Sequence, residues 1–125
     1  MTDIFKSHFI RPRNAAVPEK FDFVSEKSSA VCGDTVTFYM SFDGDTVSDA
    51  GYEVLGCSVA IASASAVSEM IIGRETGFAE RISADDISAY LGGIPDNRKE
   101  CIITVLDSVR SCIYQQKHSQ SEDQL

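Results

Sequence analysis

Four cysteines, Cys32, Cys57, Cys101 and Cys112, carry most of the chemistry open to this sequence. They stand well apart with no CxxC pair among them, so their spacing alone is a weak metal signal. Their placement says more. Cys32 lies in a glycine-flanked loop, Cys57 follows Gly56 where a strand pattern gives way to a helix pattern, and Cys101 lies one turn into the last helix. Two of these three thiols therefore stand near helix N-termini, where the dipole favours a thiolate, the form that binds metal and attacks sulfur. Taken singly, each also reads as a buried structural thiol, the commoner fate of a free cysteine. Asp34 could bring a carboxylate to a metal held by Cys32, or could be a turn residue at a strand entrance. Cys112 shares a helix face with Cys101 but lies roughly 16 Å further along the axis, at about 1.5 Å per residue. It cannot serve the same metal, and its apolar neighbours make it a core residue. Glu100 reads as the third residue of a capping box, and His8 and His118 are weak candidates for metal ligands.

The elements that must position these groups follow from periodicity. Asp3 to Phe9 predicts a short helix with Ile4, Phe5 and Phe9 on one side, stopped by Pro12-Arg13-Asn14. A loop carrying Pro18 leads to a weakly alternating strand, Phe21 to Ser25. Val36, Phe38, Met40 and Phe42 alternate with polar residues, which marks a strand with one apolar face. Asp43-Gly44 supplies a turn, and Thr46 to Leu55 returns with Ala50, Tyr52 and Val54 on one side. From Cys57 the pattern becomes helical for about four turns, rich in Ala and Ser, and ends at Gly73. Ser83 to Asp86 predicts a capping box, with Ile82 and Ile87 placed as a hydrophobic staple; that helix stops at Gly92-Gly93. Asn97 to Glu100 predicts a second capping box. It opens a last helix whose buried stripe is Ile102, Val105, Leu106, Val109, Cys112 and Ile113. The polar stretch from Gln115 to Leu125 reads as a frayed tail after one domain spanning 1–114.

The chain has 125 residues, 43% of them hydrophobic, enough for one domain with a real core. Its formal net charge of -8 argues against nucleic acid, whose binding needs a basic surface, and against an anionic membrane. No apolar run is long enough to cross a bilayer. The start, MTDIFKSHFIRPRN, is broken by charges and resembles neither a secretory signal nor a transit peptide. The expected compartment is the reducing cytosol, where cysteines stay free, bind metal or do chemistry.

Four segments together make the sequence recognisable. Pro12-Arg13-Asn14, Cys32-Gly33-Asp34, the run from Gly56-Cys57 to Ala62-Ser63-Ala64-Ser65, and Cys101 at the start of the final helix resemble the IscU/NifU-N family of iron–sulfur scaffolds. The resemblance covers about Ile4 to Ile113. It implies an α+β fold, a three-stranded antiparallel sheet packed against helices, in agreement with the periodicity. It also implies that Cys32, Cys57 and Cys101, with Asp34 beside them, hold a transient [2Fe–2S] cluster or a zinc ion. The function implied is a scaffold that takes sulfur from a cysteine desulfurase, assembles a cluster and passes it to apo-proteins. A frataxin-like protein and chaperones are further implied partners. Cys101, then Cys32, are the implied persulfide acceptors.

The departures from the family pattern are local. Glu100 stands where typical IscU proteins have His, and Ile94-Pro95-Asp96-Asn97-Arg98 replaces their Leu-Pro-Pro-Val-Lys chaperone motif. Arg98 is similar to the Arg of the SufU branch and could support a thiolate by charge, or be a solvated helix residue. The insertion of that branch between the second and third cysteines is absent. Two alternatives to a scaffold therefore stand beside it: a SufU-like zinc-dependent sulfurtransferase, and a non-catalytic zinc-bound interaction domain.

Overall fold

The computed structural model describes residues 2–123. In chain order these form α1 (Asp3–Ile10), β1 (Phe23–Ser28), β2 (Thr35–Asp43), β3 (Thr46–Leu55), α2 (Ser58–Ile71), α3 (Thr76–Arg81), α4 (Ala84–Tyr90), a 3₁₀ turn (Asp96–Arg98) and α5 (Lys99–Asp123). The strands make one antiparallel sheet in the order β1-β2-β3, so the chain is α+β as its periodicity predicts.

Alternation decides which face of the sheet is covered. Val36, Phe38 and Met40 are fully buried and pair across the hairpin with Val54, Tyr52 and Ala50. Gly44 opens the two-residue loop of that hairpin with φ 60°, the left-handed backbone that glycine adopts without strain. Helices α2 and α5 cover the apolar face and pack on one another. In α2 the buried residues facing this packing are mostly Ala and Ser, so the helix can lie close. In α5 the predicted stripe from Ile102 to Ile113 is buried throughout.

Several local expectations need correction. Strand β1 begins two residues later than predicted and runs to Ser28, because its register is set by β2, from Phe23 opposite Met40 to Ser28 opposite Thr35. Helix α1 buries Phe5 and His8 rather than Ile4 and Phe9. Thr2 fixes its rotation: Oγ1 accepts the Phe5 amide at 3.0 Å and donates to the Leu91 carbonyl at 2.7 Å. Helix α3 was not legible in the periodicity, since it is six residues long with a glycine inside. It is held by tertiary contacts, with the Thr76 amide on the Asp45 carbonyl at 2.7 Å and Arg74 stacked over Phe78.

The capping box of α4 forms as predicted, from Ser83 and Asp86. The second one does not: a 3₁₀ turn with no side-chain cap occupies Asp96–Arg98, and Lys99 is instead clamped between Asp85 and Asp96. Helix α5 runs on through Gln115, where fraying is expected, because its polar residues have partners. Gln115 and Gln116 donate to the carbonyls of Val24 and Gly44, each at 3.0 Å, and Lys117 pairs with Glu80. Positions 124 and 125 of that stretch lie outside the described residues.

Candidate metal centre

The hairpin brings the loop before β2 beside the end of β3, since Thr35 pairs with Leu55. Cys32-Gly33-Asp34 thus lies against Gly56-Cys57. Ser29 shapes the first of these loops. Its Oγ accepts the Cys32 amide at 3.2 Å, its carbonyl accepts the Gly33 amide at 2.8 Å, and its own amide reaches the Asp34 carbonyl at 2.9 Å. Gly33 turns the chain with φ 72°, where a side chain would be strained. Cys57 is the N-cap of α2, and Cys101 is the third residue of α5, just past the 3₁₀ turn.

The three sulfurs and the carboxylate meet. Cys101 Sγ lies 2.8 Å from Cys32 Sγ and 3.3 Å from Cys57 Sγ. The ligand atoms of Cys32, Asp34 and Cys101 all fall within 4.8 Å of one another. Asp34, only 1% exposed, turns its carboxylate to Cys57: Oδ1 accepts the Cys57 amide at 2.8 Å and Oδ2 faces Cys57 Sγ at 3.4 Å. All four cysteines are free. Among the described residues the trio of Cys32, Asp34 and Cys101 is the one such grouping of potential ligands; Cys57 is not part of it and adjoins it through Cys101 and Asp34, and Glu100, His8 and His118 stand outside it.

The helix dipole argues for a thiolate at Cys101, and burial overrides it. Burial first, then the crowding by Cys32, Cys57 and Asp34, pushes the Cys101 thiol well up. A metal ligand must be deprotonated, so metal binding here would release protons. The neighbouring Cys57 sulfur first and the Cys101 sulfur second favour the charged form of the Arg98 guanidinium. Three soft sulfurs and one carboxylate oxygen are a donor set that fits tetrahedral zinc or an iron–sulfur cluster. Cys112 is elsewhere, fully buried with Sγ 3.5 Å from the Phe38 carbonyl, and burial pushes its thiol up to about 12.

A family model, the NifU-like N terminal domain, matches residues 2–123. The chain belongs to that family. A member, the nitrogen fixation protein NifU of Azospirillum brasilense, is 36% identical over 90% of this chain, which spans only 37% of that longer protein. The iron–sulfur cluster assembly scaffold protein IscU 1 of Archaeoglobus fulgidus is 33% identical, covering 85% of this chain and 69% of its own length. The crystal structure of a NifU-like N-terminal protein from Brucella abortus superposes with a TM-score of 0.81 over 94% of both chains. At 21% identity it speaks for the NifU-like fold alone.

The other segments that carry the resemblance have a structural task of their own. The Arg13 amide donates to Ser65 Oγ at 2.9 Å, Tyr52 donates to the Arg13 carbonyl at 2.6 Å, and Asn14 donates to Ser68 Oγ at 3.0 Å. The Pro12-Arg13-Asn14 loop is thus fastened to the serines of α2. His8 joins them, with Nδ1 2.7 Å from Ser65 Oγ and Nε2 3.3 Å from the Tyr90 hydroxyl. Burial first and the Arg13 charge second hold His8 below its usual value of 6.5, with Glu69 opposing.

The native form of His8 is therefore neutral, and the sign of its pH effect follows. Below about pH 6.5 the unfolded chain takes up a proton that the folded protein resists. Its contribution to stability is full above that value and is lost as pH falls below it. Thermal unfolding followed from about pH 7.5 down to 5.5 is expected to show a declining midpoint, and His8→Gln is expected to flatten the decline. A His8→Gln profile as steep as wild type would remove His8 as the cause.

Proposed function

We propose that this protein is a scaffold on which iron and sulfide are assembled into a [2Fe–2S] cluster that is then released to apo-proteins. The observation that carries the reading is the convergence of Cys32 and Cys57 on Cys101, with the buried Asp34 carboxylate at their side. The cluster is the cargo. In this reading the three thiolates hold it, and Asp34 supplies a harder oxygen donor, a poorer match to cluster iron and hence the corner that gives way.

Sulfur arrives as a persulfide on a cysteine desulfurase. A scaffold thiolate attacks the outer sulfur, the sulfur–sulfur bond of the donor breaks, and the desulfurase cysteine leaves as a thiolate; a separate reduced electron carrier then supplies two electrons per transferred sulfur, which leaves the scaffold thiolate as the sulfide of the cluster. The acceptor must be reachable. Cys101 has no exposed surface, whereas Cys32 is half-buried in its loop, so accessibility favours Cys32 as first acceptor over Cys101. Free thiols of this kind persist in a reducing cytosol.

One observation favours a second reading. Arg98 stands three residues before Cys101, as does the Arg of the SufU branch, where a zinc-dependent sulfurtransferase relays sulfur and builds no cluster. Anaerobic reconstitution with iron and sulfide separates the two. A scaffold is expected to take up both and absorb in the visible. Protein that stays colourless and keeps one tightly bound zinc after the same treatment is a relay, and the scaffold reading fails.

A further inference from the structure

We propose that Gly56 is a positioning residue of the metal centre: by carrying no side chain, it leaves the space in which the Asp34 carboxylate is seated. The proposal rests on the reading of Cys32, Asp34, Cys57 and Cys101 as one centre.

The two glycines of the site are there for different reasons. Gly33 has a positive φ of 72°, and a Cβ on it would meet nothing within 4 Å. Its backbone demands glycine. Gly56 is not among the residues with positive φ, and it is exposed, so neither strain nor a crowded core demands glycine there. Yet a Cβ on Gly56 would come within 2.6 Å of Asp34 Cγ and 2.8 Å of Asp34 Cβ, closer than real Cβ contacts allow. What excludes a side chain at position 56 is the carboxylate of Asp34.

Asp34 has little freedom to yield in place. Its Oδ1 is bound to the Cys57 amide at 2.8 Å, and its main chain is fixed by the Ser29 amide at 2.9 Å. A methyl group at position 56 therefore drives the carboxylate out of the centre and leaves the three sulfurs. Gly56→Ala is expected to act at the metal as a loss of Asp34.

Cobalt(II) alone is the probe. Its sulfur-to-metal charge-transfer bands report the thiolates, and its ligand-field bands report the remaining donor. Wild type, Gly56→Ala, Asp34→Gly and the double variant are titrated with cobalt anaerobically. All four are expected to show the same thiolate bands. Gly56→Ala should shift the ligand-field bands as Asp34→Gly does, with the same loss of affinity, on the order of 10- to 100-fold. The double variant should match Asp34→Gly alone, since the two changes act through one group.

A wild-type ligand field in Gly56→Ala, or losses that multiply in the double variant, overturn the proposal while leaving the metal centre standing. An absence of thiolate bands in wild type overturns both. If Gly56→Ala does not fold, the double variant decides: with the clash removed it should fold and bind cobalt like Asp34→Gly, and its failure to fold would show that Gly56 serves something other than Asp34.

Discussion

Cys101→Ser is expected to cost more than about 100-fold in metal affinity. Cys101 is the sulfur in contact with both of the others, at 2.8 Å from Cys32 and 3.3 Å from Cys57. Cys32 and Cys57 come from separate loops, and α5 delivers the group between them. Losing an outer-shell partner of a metal typically costs 10- to 100-fold in affinity. Losing the central thiolate should exceed that, leaving less than about a hundredth of wild-type affinity. Cys101 is also fully buried, so a serine hydroxyl there would cost about 1–3 kcal/mol of stability unless it found a partner. Zinc affinity measured by competition with a chromophoric chelator tests this, with Cys112→Ala as the control. Cys112 is packed in the apolar core, its sulfur's polar contacts are main-chain carbonyls, and the Cys112→Ala protein should keep its metal. A Cys101→Ser protein within tenfold of wild type, or a Cys112→Ala protein that loses its metal as completely, would falsify the assignment.

The parts of this protein that were legible in the sequence are those decided by neighbours in the chain. The period of two in β2, the small-residue helix α2, and the Ser83–Asp86 capping box are local patterns, and each produces its element. What was not legible depends on distant partners. Nothing near Gly77 predicts α3, which is fixed by a bond from Thr76 to Asp45 and the pairing of Thr46 with Glu75. The pattern at Asn97–Glu100 promises a capping box, but Lys99 is drawn instead to Asp85 and Asp96. His8 reads in the sequence only as a weak candidate for a metal ligand, and the polar socket that Ser65 and Tyr90 give it comes from far along the chain.

The site divides the same way. The positions of Cys32, Cys57 and Cys101 at loop and helix starts, with the resemblance, marked them as a group. Separation along α5 set Cys112 apart. That Asp34 reaches Cys57 as well as its near neighbour Cys32 could not be read, because it follows from the pairing of Thr35 with Leu55 across the sheet. The steric reason for Gly56 was hidden for the same cause. In a sequence, a glycine needed for space looks the same as one needed for its backbone.

Asp34→Ala is expected to leave cluster assembly intact and to slow transfer of the cluster to an apo-ferredoxin. The substitution removes the hard donor and keeps all three sulfurs. Whether the loop survives it decides the sign of the effect. The turn that carries Cys32 is held by three bonds of Ser29, to the Cys32 amide, the Gly33 amide and the Asp34 carbonyl, none of which uses the Asp34 carboxylate. The Cys57 amide does lose its acceptor, worth about 1 kcal/mol, but it sits at the N-cap of α2, where water can replace the carboxylate. The loop therefore stays shut, and what is lost is the exit route. In the scaffold reading proposed above, the wild-type carboxylate lets go of iron while an incoming thiolate enters. Without it the first bond to break is a soft sulfur–iron bond. An added barrier of about 1.4 kcal/mol corresponds to roughly tenfold slower transfer. Wild type and Asp34→Ala, reconstituted side by side under argon, can be followed by visible circular dichroism as apo-ferredoxin is added. Faster transfer, or faster spontaneous loss of the cluster, would mean that Asp34 holds the loop together and does not gate release.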